Sequence, residues 1–119
     1  MNEPLTVDVL ESAPGEVTLE LAGDIDAAAD KALADGYTHA TANGPTRVVL
    51  DFGAVDYINS TGIALIVRLL AEARRDHREV VAVGLSDHYQ EIFHLTRLSD
   101  YLTIVGSDAS VDEPEGARS

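Results

Sequence analysis

The sequence predicts a single α/β domain, and two kinds of hydrophobic pattern lead to that prediction. Short segments with alternating or continuous apolar residues, typical of strands, are separated by longer segments whose apolar residues recur every three or four positions, typical of helices. The chain has 119 residues, of which 45% are apolar, so it can form one core that buries roughly two-thirds of the unfolded chain's surface. The segments follow the order β-β-α-β-α-β-α-β without an internal repeat, which predicts a mixed sheet with helices packed on it.

The first two strands are predicted to pair as an antiparallel hairpin. Residues 5–10 and residues 16–22 each place an apolar side chain at every second position, and a Pro-Gly turn at 14–15 separates them. Two alternating strands joined by a short turn are typical of a hairpin with one face toward the core.

The middle of the chain is predicted to add a helix and a buried strand. Residues 23–26 (Gly-Asp-Ile-Asp) are predicted as a loop, and the final aspartate suits the N-cap of an alanine-rich helix over residues 27–40. Gly36 weakens that helix. Residues 47–52 carry a continuous apolar run, as expected of a strand covered on both faces, and residues 53–60 are predicted as a loop.

The remaining elements continue the alternation of helix and strand. Residues 61–76 have apolar positions at helical spacing, and residues 80–83 form a short apolar strand. Ser86 is placed to cap a short helix that runs through residue 95, and residues 101–105 are predicted as the last strand. The folded domain is therefore expected to span residues 1–106, followed by an acidic, disordered tail over residues 107–119.

The charge balance argues against nucleic acid as a partner. The chain has 21 acidic and 8 basic residues, a formal net charge of −13, and such a surface repels phosphate backbones. The nearest approach to a basic patch lies in and just past the end of the helix over residues 61–76, where cations complement the negative end of the helix dipole. It consists of Arg68, Arg74, Arg75 and Arg78.

Composition also excludes several kinds of chemistry and of location. The absence of cysteine removes disulfides, thiolate nucleophiles and cysteine-bound metals. The four histidines, His39, His77, His88 and His94, lack the spacing of metal ligands, so no metal or other cofactor is expected. No apolar run reaches the roughly 20 residues of a membrane span, and the N-terminus does not resemble a secretory signal. A cytoplasmic protein is expected.

The segment most informative about function is residues 48–63, where a buried strand leads into a loop and then a long helix. Two adjacent hydroxyl residues, Ser60 and Thr61, stand where that helix begins. Free N–H groups and the helix dipole favour an anion there, such as a phosphate attached to either hydroxyl, and Gly62 would allow a close approach by a partner. Ser and Thr are also common N-cap residues, so capping is the alternative interpretation.

Together, several motifs resemble the STAS domains of bacterial anti-sigma factor antagonists. Residues 59–62 (Asn-Ser-Thr-Gly) resemble the Asp-Ser-Ser-Gly or Asp-Ser-Thr-Gly box at the start of a helix in that family. Residues 23–26, residues 81–86 (Val-Ala-Val-Gly-Leu-Ser) and residues 92–98 (Ile-Phe-His-Leu-Thr-Arg-Leu) resemble three further family segments in the same order. The resemblance extends over about residues 5–105.

The resemblance implies a protein–protein interaction switch and not an enzyme. In such proteins the unphosphorylated form binds an anti-sigma factor, which is a serine/threonine kinase, and thereby frees the sigma factor. The kinase phosphorylates the second hydroxyl of the box, which corresponds to Thr61 here, with Ser60 as the second candidate. A PP2C-type phosphatase reverses the modification.

The family's docking surface can be carried over to this chain residue by residue. Asp24 and Asp26 correspond to the family's docking loop, and Asn59 and Gly62 would shape the box next to Ser60. Asn59 replaces the usual aspartate, which removes a carboxylate that could orient the acceptor hydroxyl but keeps an acceptor oxygen.

Three alternative functions remain to be weighed. One is a STAS scaffold that is never phosphorylated and belongs to a larger sensory or lipid-transport complex, which the Asn59 replacement favours. The second is a receiver domain with Asp51 as phosphoacceptor, but the lysine expected after the last strand is absent because the only lysine is Lys31. The third is a hydrolase with Thr61 or Ser60 as nucleophile, which lacks an evident histidine partner.

Overall fold

The computed structural model describes residues 3–105, and this part of the chain contains the predicted α/β order. It has five strands and three α-helices: β1 (Thr6–Ala13), β2 (Glu16–Ile25), α1 (Asp30–Ala40), β3 (Arg47–Ile58), α2 (Ser60–Arg75), β4 (Glu79–Val83), α3 (Asp87–Leu95) and β5 (Thr103–Ile104). Short 3₁₀ turns, Ala27–Ala29 and Leu98–Asp100, precede α1 and β5. The predicted N-caps are confirmed, since Asp26 accepts a hydrogen bond from the N–H of Ala28 and Ser86 accepts one from that of Tyr89.

The sheet is mixed and its strands lie in sequence order, β1-β2-β3-β4-β5. β1 pairs with β2 as the predicted antiparallel hairpin, and the other three pairs are parallel. Each parallel crossover advances by one strand in the same direction, so right-handed connections place all three helices on one face. Within residues 3–105, no helix lies on the opposite face of the sheet.

Burial along the strands follows this arrangement. Over residues 16–22 of β2 and residues 47–52 of β3, alternate residues are buried toward the helices, whereas the residues between them are half-buried or exposed. The buried set in these two strands includes Val17, Leu19, Leu21, Val48, Leu50 and Phe52. Phe52 meets Phe93 of α3 edge to face, with ring centroids 5.8 Å apart, and this contact fastens the last helix to the sheet. The expectation that residues 47–52 are covered on both faces is therefore wrong, because only one face carries helices.

Gly36, which lowers the intrinsic helix propensity of α1, has a packing role. A Cβ at this position would lie 2.7 Å from Cγ1 of Val7 in β1, closer than such atoms approach. The glycine therefore lets α1 lie directly on the hairpin, and the contact compensates for the propensity that glycine loses.

The two central strands are longer than predicted, and two predicted loops are wrong. β2 continues through Asp24 to Ile25 and β3 continues to Ile58, so residues 23–25 and most of residues 53–60 are strand. The extensions pair with each other, ending with Ile25 opposite Ile58. Two register shifts interrupt this pairing, so the alternation that marks a strand in sequence is lost there.

Smaller corrections concern the ends of elements. β1 extends to Ala13, the predicted helix over residues 27–40 begins as a 3₁₀ turn, and β5 is confined to Thr103–Ile104 because the Leu98–Asp100 turn precedes it. The predicted tail over residues 107–119 lies outside the described residues. Between residues 3 and 105 no helix combines the length and apolar character that a membrane span requires.

Tyr37 provides a pH-dependent test of the packing between α1 and the end of α2. Its side chain is buried, and its hydroxyl donates to Oδ2 of Asp76 at 3.4 Å. Burial raises the pKa of this phenol, an effect that Arg78 opposes and the charges of Asp76 and Glu72 reinforce.

We expect Tyr37 to make the protein less stable as the pH rises above about 10. The unfolded phenol ionises at a lower pH than the folded one, so the unfolded state is stabilised first and the free energy of unfolding decreases through that range. In Tyr37→Phe the loss should be smaller, which urea unfolding at pH 8 and pH 11 would measure. Equal losses in both proteins would contradict this assignment.

Candidate functional site

The junction of β3 and α2 is organised by Asn59 and not by either hydroxyl residue. Its side-chain Oδ1 accepts a hydrogen bond from the N–H of Gly62 at 2.8 Å, and its carbonyl accepts one from Ile63 at 2.9 Å. Asn59 is thus the N-cap of α2, in extended conformation, and the helix begins at Ser60. The alternative in which Ser60 or Thr61 serves as the cap is therefore wrong.

Because Asn59 caps the helix, the hydroxyl groups of Ser60 and Thr61 are not needed as caps. Ser60 and Thr61 are exposed, and no hydrogen bond to either hydroxyl is recorded within residues 3–105. They occupy the first two positions of the helix, where backbone N–H groups lack partners in the preceding turn. The positive end of the helix dipole therefore lies beside both hydroxyls.

Gly62 lets the start of α2 lie directly against the end of β2. A Cβ at this position would overlap the carbonyl oxygen of Ile25 and lie 2.7 Å from its carbonyl carbon. The same carbonyl accepts a hydrogen bond from the N–H of Asn59 at 3.2 Å. The space over Gly62 is thus filled by the chain's own backbone, and Gly62 itself is buried.

The two aspartates of the predicted docking loop have different environments. Asp24 is 7% exposed, and its carboxylate accepts a hydrogen bond from the N–H of Glu3 at 3.2 Å, while its own N–H donates to the Glu3 carbonyl. Asp26 is half-buried and caps the 3₁₀ turn before α1. Since Ile25 contacts the start of α2, both aspartates lie next to this helix end, with Asp26 nearer the surface.

Two tyrosines belong to the same region, and Tyr57 was not predicted as part of the site. Tyr57 is 53% exposed and lies two residues before Asn59. The hydroxyl of Tyr89, on α3, accepts a hydrogen bond from the N–H of Ile58 at 2.9 Å and so links α3 to the end of β3. The sequence signal was the aromatic residue two positions before the Asn-Ser-Thr-Gly box, which the loop prediction for residues 53–60 concealed.

The region is a surface and not a deep pocket. The cleft beside it, between the ends of β3 and β4, holds about 130 Å³, below the roughly 300 Å³ at which small-molecule sites begin. No group of three potential metal ligands occurs in the described part of the chain. Asp51 uses Oδ1 to accept from the N–H of Gly53 at 2.9 Å, which is a local backbone contact.

The hydrolase alternative gains no support from this geometry. Among residues 3–105, no histidine is recorded in a hydrogen bond with Ser60 or Thr61, and a histidine is the usual base that activates a hydroxyl nucleophile. The histidine that does make a side-chain bond, His94, contacts Ser99 through Nδ1 at 2.9 Å.

The fold and this helix start agree with the comparisons to known proteins. A family model described as "Mlab, STAS domain" matches residues 9–106. The chain belongs to the STAS domain family, and the resemblance inferred from the motifs is confirmed. Anti-sigma factor antagonists of this family are regulatory modules and not enzymes.

Several of the individual proteins that this chain resembles are named anti-sigma factor antagonists. The anti-sigma-B factor antagonist of Listeria monocytogenes is 26% identical over 100 residues, which cover 84% of this chain and 88% of the relative. The structure of an anti-sigma factor antagonist from Mycobacterium paratuberculosis superposes with a TM-score of 0.73 at 21% identity, covering 92% of this chain and 93% of the other. Unphosphorylated SpoIIAA superposes with a TM-score of 0.67 at 14% identity, covering 87% and 91% of the two chains, and the Bacillus protein is also known in its phosphorylated form.

We expect Gly62→Ala to destabilise the protein by roughly 1–3 kcal/mol, because the added methyl group overlaps the carbonyl of Ile25 and forces α2 away from β2. Urea unfolding would measure the change. Gly53→Ala is the matched control, since Gly53 is exposed and the nearest atom to its added Cβ is a carboxylate oxygen of Asp51 at 3.1 Å. Equal effects of the two substitutions would show that the Ile25 contact is unimportant.

Proposed function

We propose that this protein is an anti-sigma factor antagonist that binds an anti-sigma factor serine/threonine kinase and releases it when Thr61 is phosphorylated. The observation that carries the proposal is that the residue capping α2 and the exposed hydroxyl residue beside it are different residues. Asn59 caps the helix, and the exposed hydroxyl of Thr61 is left without a recorded hydrogen bond in residues 3–105. Ser60 is the second candidate acceptor, with the same exposure.

The helix start allows a phosphate to form without unfolding the domain. A phosphate on Thr61 would lie beside the N–H groups and positive dipole end of α2, which stabilise an anion. It would add about −1.5 to −2 charge units to a surface that already includes Asp26 and the exposed Asp56. The folded state thus tolerates the phosphate, while a docked partner meets new charge and bulk.

The same residues can be assigned to contact and supporting roles. In this proposal the partner would contact four exposed or half-buried residues: Ser60, Thr61, Asp26 and Tyr57. Tyrosine is a common residue among those that contribute most to binding at interfaces. Asn59, Gly62 and the buried Asp24 hold this surface in shape through their backbone contacts. A PP2C-type phosphatase would act on the exposed phosphate, and the switch would operate in the cytoplasm.

We expect Thr61→Glu to weaken kinase binding at least tenfold, equivalent to about 1.4 kcal/mol, and Thr61→Ala to bind like the unmodified protein. Calorimetric titration with the cognate anti-sigma factor would measure both affinities. Thr38→Glu, on the exposed surface of α1, is the matched control for added charge. Equal affinities for Thr61→Glu and Thr61→Ala would exclude a switch at this residue.

The STAS scaffold that is never phosphorylated is the second candidate function, and Asn59 is the observation that favours it. Asn59 supplies the cap but not the carboxylate that the family usually has next to the acceptor. A domain of this kind would bind its partner constitutively, within a larger sensory or lipid-transport complex.

Phosphopeptide mass spectrometry after incubation with ATP and the cognate kinase distinguishes the two functions. The switch predicts phosphate on the segment over residues 59–62 that Thr61→Ala abolishes and Ser60→Ala retains. The scaffold predicts a stable complex without phosphate, and phosphate then gained by Asn59→Asp would identify the missing carboxylate as the cause. Asn59→Asp retains the cap oxygen, so the start of the helix should be unchanged.

A further inference from the structure

An apolar groove lies at the opposite end of α2 from Thr61. It runs between the C-terminal half of α2 and the Leu98–Asp100 turn and has a volume of about 510 Å³. Its floor consists of Val67, Leu70, Ala71 and Leu98. Val67 is 46% exposed and adds apolar surface to the groove.

Two unpaired arginines form the rim of this groove. Arg74 and Arg75 line it together with Tyr101, and the guanidinium of Arg74 lies 5.2 Å from the centre of the Tyr101 ring. The other basic residues within positions 3–105 all form ion pairs with carboxylates: Lys31, Arg47, Arg68, Arg78 and Arg97. Among residues 3–105, Arg74 and Arg75 therefore have no carboxylate partner, and their charge beside an apolar surface favours an acidic segment as the occupant.

We propose that this groove, which extends from Val67 on α2 to Tyr101, binds the C-terminal segment of the same chain, residues 106–119. That segment has the matching chemistry, with Val111 as its one large apolar residue and four carboxylates around it: Asp108, Asp112, Glu113 and Glu115. Val111 would contact the apolar floor, and the flanking carboxylates would pair with Arg74 and Arg75. The inference does not depend on phosphorylation of Thr61.

The length of the chain permits this contact. The described chain ends at Val105, four residues after Tyr101 on the rim of the groove. An extended chain spans about 3.3 Å per residue, so Val111 can lie up to about 20 Å from Val105, whereas Tyr101 lies within about 13 Å of it. A short tether also gives the segment an effective concentration in the millimolar range, so a few weak contacts are enough to fill the groove.

Paramagnetic relaxation in the full-length protein tests the proposal directly. The chain has no cysteine, so Ser110→Cys provides a single attachment point for a nitroxide label. We expect the amide signals of Ala71, Arg74 and Tyr101 to lose at least half of their intensity relative to the reduced label. The signals of Lys31 and Thr38 on α1 should retain theirs.

Charge variants of the labelled protein test the role of the rim. Arg75→Glu should reduce the label-induced loss of amide signal at Ala71 and Tyr101 at least twofold, because the acidic segment would then lie beside a like charge. Lys31→Glu is the matched control, since it makes the same charge change on an exposed residue of α1 and should leave the effect unchanged. Dispersed amide spectra in each variant would show that the fold is intact.

Three outcomes would overturn the proposal. One is an absence of signal loss at the groove, and another is a loss centred on residues 59–62 or spread evenly over the surface. The third comes from mixing labelled protein without ¹⁵N and unlabelled protein with ¹⁵N. Signal loss at Ala71 in that mixture would mean that the segment of a second copy occupies the groove.

Discussion

The carbonyl group of Ile25 is the contact on which the site depends. It accepts a hydrogen bond from the N–H of Asn59, and the same group lies against Gly62, where no side chain fits. β2 and β3 must therefore stay paired to their last residues, because only then does the end of β2 reach the start of α2. The position of Thr61 at the start of α2 therefore depends on this backbone contact with the end of β2.

Asparagine at position 59 caps α2 without placing a negative charge beside Ser60 and Thr61. A capping side chain needs only an acceptor oxygen, which an amide provides as well as a carboxylate does. A carboxylate would also place a charge next to the hydroxyls of Ser60 and Thr61. The cap is therefore made by asparagine as it would be by aspartate, and the two side chains differ here in charge and in the donor that the amide adds.

The sequence predicted the fold where periodicity is regular and failed where it is interrupted. The hairpin, the three helices and the caps at Asp26 and Ser86 follow from alternation, helical spacing and local side-chain chemistry. The extensions of β2 and β3 were missed because register shifts remove the alternation. The roles of Gly36 and Gly62 depend on Val7 and Ile25, which are distant in sequence, so no local pattern could have indicated them.

α2 connects the surface around Thr61 with the groove beside Arg75, and its length limits the electrostatic interaction between them. Thr61 and Arg75 are 14 residues apart on one helix, or about 21 Å at 1.5 Å per residue. The Debye length at physiological ionic strength is about 8 Å, so charge added at one end is largely screened at the other. A phosphate on Thr61 therefore has no direct electrostatic means of displacing an acidic segment from Arg75. Any coupling between the two ends would have to come from movement of the helix against the sheet, which the contact between Gly62 and Ile25 opposes.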